Sequence, residues 1–323
     1  MNKWGENLNY VTRTGGATVT VFVPWDCFNN CPFCINKADY EDSSNFNLFE
    51  VERSIKIMSV MTPDCDFVFT GGEPLAKMDL LQNLLHAVHQ KGTNHKIFIN
   101  TTLPTNENQT IDKVARVLND WYHNQLITGI NVSRHLRKYV QECDDEIFKL
   151  INFEVRINCV IPEYEFEFNK QSREQKLKSF VERFRYITKY VQFRADYVTT
   201  TPQNLYVNYN ENNPKESDDI IFSALAEAFS FKDVCGAYRM RVGYEFYSDN
   251  YRVTYHRTLP YSRIYLKNDT YALYDIIIKQ NGDVKEDWDT CIDVKNIANR
   301  KCDNLSLDLD LNAYRKVIYE EYK

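Results

Sequence analysis

Apolar positions in this chain switch repeatedly between a spacing of two and a spacing of three to four, the pattern of strands alternating with helices. Residues 17–23 alternate β-branched and aromatic side chains, as a strand does. Asn47 and Glu50 then make a capping box, and Leu48, Val51, Ile55 and Met58 follow at helical spacing. Residues 66–70 read as a buried strand. Leu81, Leu84, Leu85 and Val88 form one helical face, closed by Gly92 at a C′-like position. Further strands are expected at 96–100, 126–133, 154–161 and 191–198. Between them the pattern predicts a helix over 111–124 capped by Thr110, and a second over 138–151. A third is opened by a capping box of Ser172 and Gln175 and carried by Leu177, Phe180, Val181, Phe184 and Ile187.

Six strand-helix repeats imply parallel strands joined by right-handed crossovers, with sites at the strands' carboxyl ends. The plain alternative is a full eight-stranded barrel. The pattern favours a partial (β/α)6 TIM-type barrel, because the alternation breaks after about Thr199. Residues 199–204 read as a boundary loop and 204–219 as a polar surface loop. A helix near 218–229 precedes strands at 239–247 and 251–258, joined by the Ser248-Asp249-Asn250 turn. A last pair, 271–280 and 283–288, turns at Asn281-Gly282, a strong hairpin signal. The expected organisation is a barrel domain over 1–200 and, over 201–323, a C-terminal antiparallel β-rich extension covering the substrate side.

Composition narrows the function classes. The 323 residues allow one large domain or two smaller ones with ample core. The net charge of −6 does not favour a nucleic-acid polyanion. No apolar run approaches the ~20 residues of a membrane helix, and the opening Met1-Asn2-Lys3-Trp4-Gly5-Glu6 lacks a signal-peptide h-region. Nine cysteines, an odd number, argue against a disulfide framework. The expectation is a cytoplasmic protein in a reducing compartment.

The candidate chemistry lies in two short segments. Cys27-Phe28-Asn29-Asn30-Cys31-Pro32-Phe33-Cys34 puts three thiols in eight residues, and thiolates are the soft ligands that suit iron–sulfur sites. Zinc or a disulfide would also fit that spacing. Downstream, the strand at 66–70 stops at Gly71-Gly72-Glu73-Pro74. Paired glycines permit close approach to the backbone, and the glutamate is an acceptor for an ammonium group. By itself this segment is also an ordinary strand-to-helix turn.

Together the two motifs resemble the radical S-adenosylmethionine (radical SAM) superfamily, whose members carry CxxxCxΦC after the first barrel strand and GGEP after the second. The resemblance implies that Cys27, Cys31 and Cys34 bind a [4Fe-4S] cluster whose fourth iron is chelated by the methionine part of S-adenosyl-L-methionine (SAM). It places Phe33 near the adenine, and Thr70, Gly71, Gly72 and Glu73 at the methionine amino group. Ser133, ending the expected fourth strand, matches a position that contacts the ribose or carboxylate. Asn158, within Ile157-Asn158-Cys159-Val160-Ile161, resembles a fifth-strand asparagine that contacts the cofactor. Arg194 could reach a carboxylate from the sixth strand, or form a structural ion pair. Asn100-Thr101-Thr102 departs from the family's usual small-Asn-Gly. Cys235, Cys291 and Cys302 are widely spaced and read as structural thiols, with Cys235 a conceivable hydrogen-atom donor. His135 and His256 read as packing or hydrogen-bonded residues.

The implied activity is reductive cleavage of SAM to a 5′-deoxyadenosyl radical that abstracts hydrogen from substrate. An external electron donor of flavodoxin or ferredoxin type is implied, and the catalytic residues beyond the cofactor site are unassigned. Two substrate classes compete: a small metabolite, nucleotide or amino acid, and a peptide residue. The closeness of Cys27 to the start leaves no room for an N-terminal peptide-recognition domain and favours the small substrate. A non-catalytic metal-binding module is the third reading.

Overall fold

The computed structural model describes residues 9–13, 17–23, 27, 29, 31–34, 46–62, 65–137, 142–162, 170–196, 220–235, 243–248, 251–257, 263–267, 270–286 and 290–302. The expected loops at 199–204 and 204–219 lie outside these residues, as do the side chains of Cys235 and Cys302.

After a short first strand β1 (Asn9–Arg13), the chain alternates as the pattern predicts. The order is β2 (Thr18–Val23), α1 (Leu48–Met61), β3 (Asp66–Gly71), α2 (Met78–Val88), β4 (Ile97–Thr101), α3 (Ile111–His123) and β5 (Gly129–Ser133). It continues through β6 (Val155–Ile161), α4 (Lys170–Arg183) and β7 (Tyr190–Ala195). Thr110 caps as expected, its Oγ1 accepting from the Lys113 N–H at 3.4 Å, and half of the Asn47–Glu50 box forms: Asn47 Oδ1 accepts from the Glu50 N–H at 3.3 Å, while the Asn47 N–H donates to the Gln280 carbonyl at 3.0 Å.

Two helix expectations are corrected. Among the described residues of 138–151 only a 3₁₀ turn forms, Asp145–Lys149. Asp144 begins it by accepting from the Glu146 N–H at 3.1 Å, while Arg134 draws in the Cys143 carbonyl and the Asp145 carboxylate. These side-chain bonds compete with helix propagation. The helix expected to be capped at Ser172 already starts at Lys170, so Ser172 lies in its first turn.

The rest of the chain gives α5 (Ile220–Ala228), β8 (Ser230–Cys235), β9 (Gly243–Ser248), β10 (Tyr251–His256), β11 (Arg263–Lys267) and β12 (Thr270–Leu273). Next come β13 (Asp275–Ile278), β14 (Val284–Lys285) and β15 (Ile297–Cys302). The hairpins are antiparallel: β8 with β9, β9 with β10, and β13 with β14 across the Asn281-Gly282 turn, where Gly282 has φ 89°. The tail is not purely antiparallel, however. β10 pairs parallel with β7, and β13 pairs parallel with β2. The single strand expected over 271–280 is split at Tyr274, with β12 joining a small sheet of order β11-β12-β1-β15 and β13 joining the large one.

The large sheet has eleven strands in the order β14-β13-β2-β3-β4-β5-β6-β7-β10-β9-β8. From β13 to β10 every pairing is parallel. The fold is thus mixed α/β around one large sheet whose hydrogen bonding, among the described residues, runs from β14 to β8 without joining its ends.

Alternation sorts the two faces of the parallel strands. One side carries apolar residues such as Val21, Phe69, Ile99, Val132, Ile157 and Phe193, all buried in the common core. The other side is mixed: Phe22, Val68, Phe98 and Val160 share it with Thr70, Asn100, Asn131, Ser133, Asn158, Gln192 and Arg194. Parallel strands are normally apolar on both faces, so the polar residues toward the strands' carboxyl ends mark a surface kept for something other than packing. Among the described residues no helix is long and apolar enough to cross a membrane.

Candidate active site at the strand ends

The cysteine motif follows β2 in sequence, and β3 ends beside Val23, the last residue of β2. Val23 and Gly71 are paired in register, and the Gly72 N–H donates to the Val23 carbonyl at 3.1 Å. Gly71 has φ 118°, and a Cβ there would lie 2.4 Å from the Val23 oxygen and 2.7 Å from its nitrogen. Only glycine fits that approach. The first glycine of the pair is therefore required by the neighbouring strand, a reason the sequence alone did not give.

Beyond the glycines, Glu73 caps the 3₁₀ turn Pro74–Lys77 with its own side chain. The carboxylate is 2 % exposed and receives four hydrogen bonds. Oε1 accepts from Thr101 Oγ1 at 2.5 Å and from the Leu75 N–H at 3.1 Å. Oε2 accepts from the Thr102 N–H at 2.9 Å and from Thr102 Oγ1 at 2.8 Å. Burial pushes the carboxyl's pKa up, and these four donors pull it back down. A carboxylate offers about four lone-pair sites, so all of them are engaged.

Thr102 connects this carboxylate to two other loops. Its hydroxyl accepts from Asn29 Nδ2 at 3.1 Å, and Asn29 lies between Cys27 and Cys31. Its carbonyl accepts from Arg134 Nη1 at 2.9 Å. Arg134 is wholly buried after the end of β5, where it also bonds the Ser133 carbonyl at 2.9 Å and reaches Asp145 at 3.3 Å. Burial lowers the pKa of that guanidinium, while Glu142 and Asp145 counter the shift. The cysteine loop, β3, β4 and β5 are thus tied together at their carboxyl ends by side chains. Sequence reading missed Asn29, Thr101, Thr102 and Arg134. The available signal was two hydroxyl residues standing just past a strand, level with an acid on the next one.

Phe33, 8 % exposed, packs against His135 with ring centroids 4.9 Å apart. His135 Nδ1 in turn meets Glu142 Oε1 at 2.5 Å. His135 and His256 are both buried and hydrogen-bonded, His256 to Gln192 at 3.3 Å.

Ser133 and Asn158 are paired in register, and Asn158 is paired with Gln192. Arg194 Nε donates to Gln192 Oε1 at 2.8 Å, and no carboxylate partner meets that guanidinium among the described residues. Thr70, next to last in β3, lies on the same face. Strands lie roughly 4.8 Å apart, so Arg194 on β7, with three strands intervening, stands roughly 19 Å from β3 along the sheet. The structure brings the cysteine loop, Thr70, Gly71, Gly72 and Glu73 to one place, with Ser133 and Asn158 farther along the same edge.

Cys27 is exposed, Cys31 and Cys34 are half-buried, and all three are thiols rather than half-cystines. Among the described residues no group of three His, Cys, Asp or Glu side chains is gathered closely enough to hold a metal ion. The loop therefore supplies a donor set without converging it. In chemistry that set fits an iron–sulfur cluster: three soft ligands on one loop, beside a buried acid and a buried amide oxygen, Asn29 Oδ1, that has no partner among the described residues. Cys65, Cys143, Cys159 and Cys291 are buried, and burial pushes the Cys65 thiol up to about 11, as suits a structural residue.

Residues 14–133 match the family described as "4Fe-4S single cluster domain". The matched stretch contains both motifs that carry the radical SAM resemblance and ends at the end of β5, so it supports that resemblance. No curated protein matches. Among solved structures the chain is similar to a histidine-tagged "anSMEcpe with bound AdoMet", with 18 % identity, 62 % of this chain and 56 % of that one covered, and a TM-score of 0.44. It is also similar to "Native anSMEcpe with bound AdoMet and Cp18Cys peptide", with 18 % identity, 63 % and 54 % covered, and a TM-score of 0.43. The chain spans just over half the length of these structures.

Proposed function

We propose that this chain, with its 4Fe-4S single cluster domain and the two motifs of the radical SAM superfamily, is a radical SAM enzyme acting on a small metabolite, nucleotide or amino acid. The observation that carries the reading is the meeting of the cysteine loop and the buried Glu73 carboxylate at adjacent strand ends, joined through Asn29 and Thr102. Cys27, Cys31 and Cys34 would hold the [4Fe-4S] cluster. Once bound and given an electron, cluster and SAM supply a 5′-deoxyadenosyl radical that abstracts hydrogen from substrate.

The chain's own residues bind and orient. Glu73 places a buried carboxylate beside the site for the methionine amino group, and Thr101 and Thr102 hold it in position. Gly71 and Gly72 keep β3 hard against β2, which sets the cysteine loop relative to Glu73. Ser133 and Asn158 offer polar contacts to the ribose or carboxylate, Phe33 an apolar wall for adenine. Arg194 is an anion contact farther along the face. The six strands β2 to β7 form the partial (β/α)6 barrel of this reading, and residues 201–323 the substrate-side cover that keeps solvent from the reacting atoms. An electron carrier of flavodoxin or ferredoxin type would dock near the exposed Cys27.

A peptide substrate is the second reading, favoured by the length of the polar strand face, which extends roughly 19 Å from β3 to β7. The test is anaerobic reconstitution followed by reduction with SAM present. The reading expects about four irons per chain and release of 5′-deoxyadenosine. Both should be lost when Cys27, Cys31 and Cys34 are all replaced by alanine, and kept in Cys291→Ala. Iron retained by the triple variant would overturn the cluster assignment, and iron without SAM cleavage would leave a metal-binding module.

A further inference from the structure

Asn29 stands inside the cysteine motif, two residues after Cys27 and two before Cys31, yet it faces away from the role its neighbours suggest. It is 8 % exposed. Its Nδ2 donates to Thr102 Oγ1 at 3.1 Å, while its Oδ1 is buried without any partner among the described residues.

The orientation of the amide follows from the hydrogens available. Thr102 has one hydroxyl hydrogen, and Glu73 Oε2 lies 2.8 Å from that oxygen. With Asn29 donating, the hydroxyl accepts from Asn29 and gives its hydrogen to Glu73, so both contacts are satisfied. A flipped amide would set two acceptors, Asn29 Oδ1 and Glu73 Oε2, against the same hydrogen. The network therefore leaves Oδ1 as the idle atom.

An idle buried acceptor needs a donor. Glu73, one hydroxyl away, carries the negative charge but has every lone-pair site engaged. Charge and open acceptor thus belong to different residues. We propose that Asn29 Oδ1 receives a hydrogen bond from an N–H of the methionine amino group of SAM, with the Glu73 carboxylate close by. This assignment rests on the SAM-binding reading and adds a residue to it. Asn29 would read the amino group directly and position Glu73 through Thr102.

The test compares two ligands on the reconstituted protein by equilibrium binding: S-adenosylhomocysteine and its deamino analogue, which differ only in the amino group. Iron content and the visible spectrum of the cluster are recorded alongside. In Asn29→Leu the amino-bearing ligand should weaken about tenfold, as expected for one hydrogen bond to a charged group, and the deamino analogue should change little. In Asn29→Asp, which keeps the acceptor and adds charge, the preference for the amino ligand should be retained or increased. Equal weakening of both ligands in Asn29→Leu, reproduced by Thr102→Val, would overturn the proposal and leave Asn29 as a loop-holding residue. Loss of the cluster from both Asn29 variants would overturn it in the same sense. Failure of the unaltered protein to bind either ligand would overturn the SAM-binding reading itself, and this proposal with it.

Discussion

Replacing Thr101 with valine keeps the shape of a buried side chain and removes one hydroxyl that serves two partners. That hydroxyl donates to Glu73 Oε1 at 2.5 Å and accepts from the Leu103 N–H at 2.9 Å. Leu103 is fully buried with φ 55°, so its amide has nowhere else to turn. A hydrogen bond to a charged group contributes about 1.5–3 kcal/mol, and a stranded buried N–H costs about 1–3 kcal/mol. The two losses share one atom, so their sum is an upper bound, and the expected destabilisation is about 2–5 kcal/mol. Against a typical domain stability of about 5–15 kcal/mol, that is a large fraction.

The pH dependence has a definite sign. Burial raises the folded pKa of Glu73 above its ordinary value, so folding takes up a proton in the pH window between the two values. The residue then weighs increasingly against stability as pH climbs from the ordinary carboxylate range through the folded value. Losing the Thr101 donor raises the folded value further. The cost of Thr101→Val should therefore be smallest where the carboxyl is protonated in both states and should grow as pH rises through the folded value. Urea unfolding followed by circular dichroism at about pH 5 and about pH 8 reads the difference, and Thr101→Ser should recover most of it. A valine variant within about 0.5 kcal/mol of the parent, or a loss that does not change with pH, would refute the carboxylate-cradle argument.

Gly71→Ala should destabilise the chain by about 1–3 kcal/mol more than Gly92→Ala. Both sites have positive φ, but only the first drives a Cβ into the Val23 backbone, and nothing lies within 4 Å of the second. Equal losses in denaturant titrations would mean that β2 can move aside. Glu73→Gln should weaken SAM binding, because it removes the attracting charge and sets an amide NH₂ against the N–H of either Leu75 or Thr102. Unchanged affinity by calorimetry, with the cluster intact, would reduce Glu73 to a strand terminator.

What the sequence made legible was local. Alternation at 17–23, the caps at Asn47 and Thr110, and the Asn281-Gly282 turn are each decided within a few residues, and each forms as expected. The cysteine and Gly-Gly-Glu-Pro segments were visible for the same reason. What the sequence hid depends on neighbours across the sheet. Thr101 and Thr102 looked like a departure from a family pattern until β4 was placed beside β3, where they are the donors to Glu73. Arg134 looked like an ordinary charged residue at a strand exit, and it is wholly buried with its bonds spread over three segments. The helix pattern over 138–151 gave way because those same bonds claim the backbone and acids of 143–145.

The tail posed the hardest problem, because a period of two fixes the face of a strand and not the identity or direction of its neighbour. β13 and β10 each turn back through a hairpin, as their turns dictate, and each also lies parallel against one end of the β2–β7 set. Both ends of the β2–β7 set are therefore extended by strands from beyond residue 200. A chain cut after Thr201 would lose Leu273, Ile276 and Ile278 from one side and Val253 and Tyr255 from the other, all at or below 1 % exposure. At about 1.5–3 kcal/mol per fully buried apolar side chain, that is on the order of 10 kcal/mol, comparable to the whole stability of a domain. It would also bare two strand edges to association. One of them is β2, whose position sets where the three cysteines stand. The truncated chain should accordingly be insoluble or uncooperative in unfolding and should hold no cluster. A soluble, monomeric 1–201 fragment that unfolds cooperatively and takes up about four irons would show instead that the six strands stand alone and the tail is only a cover.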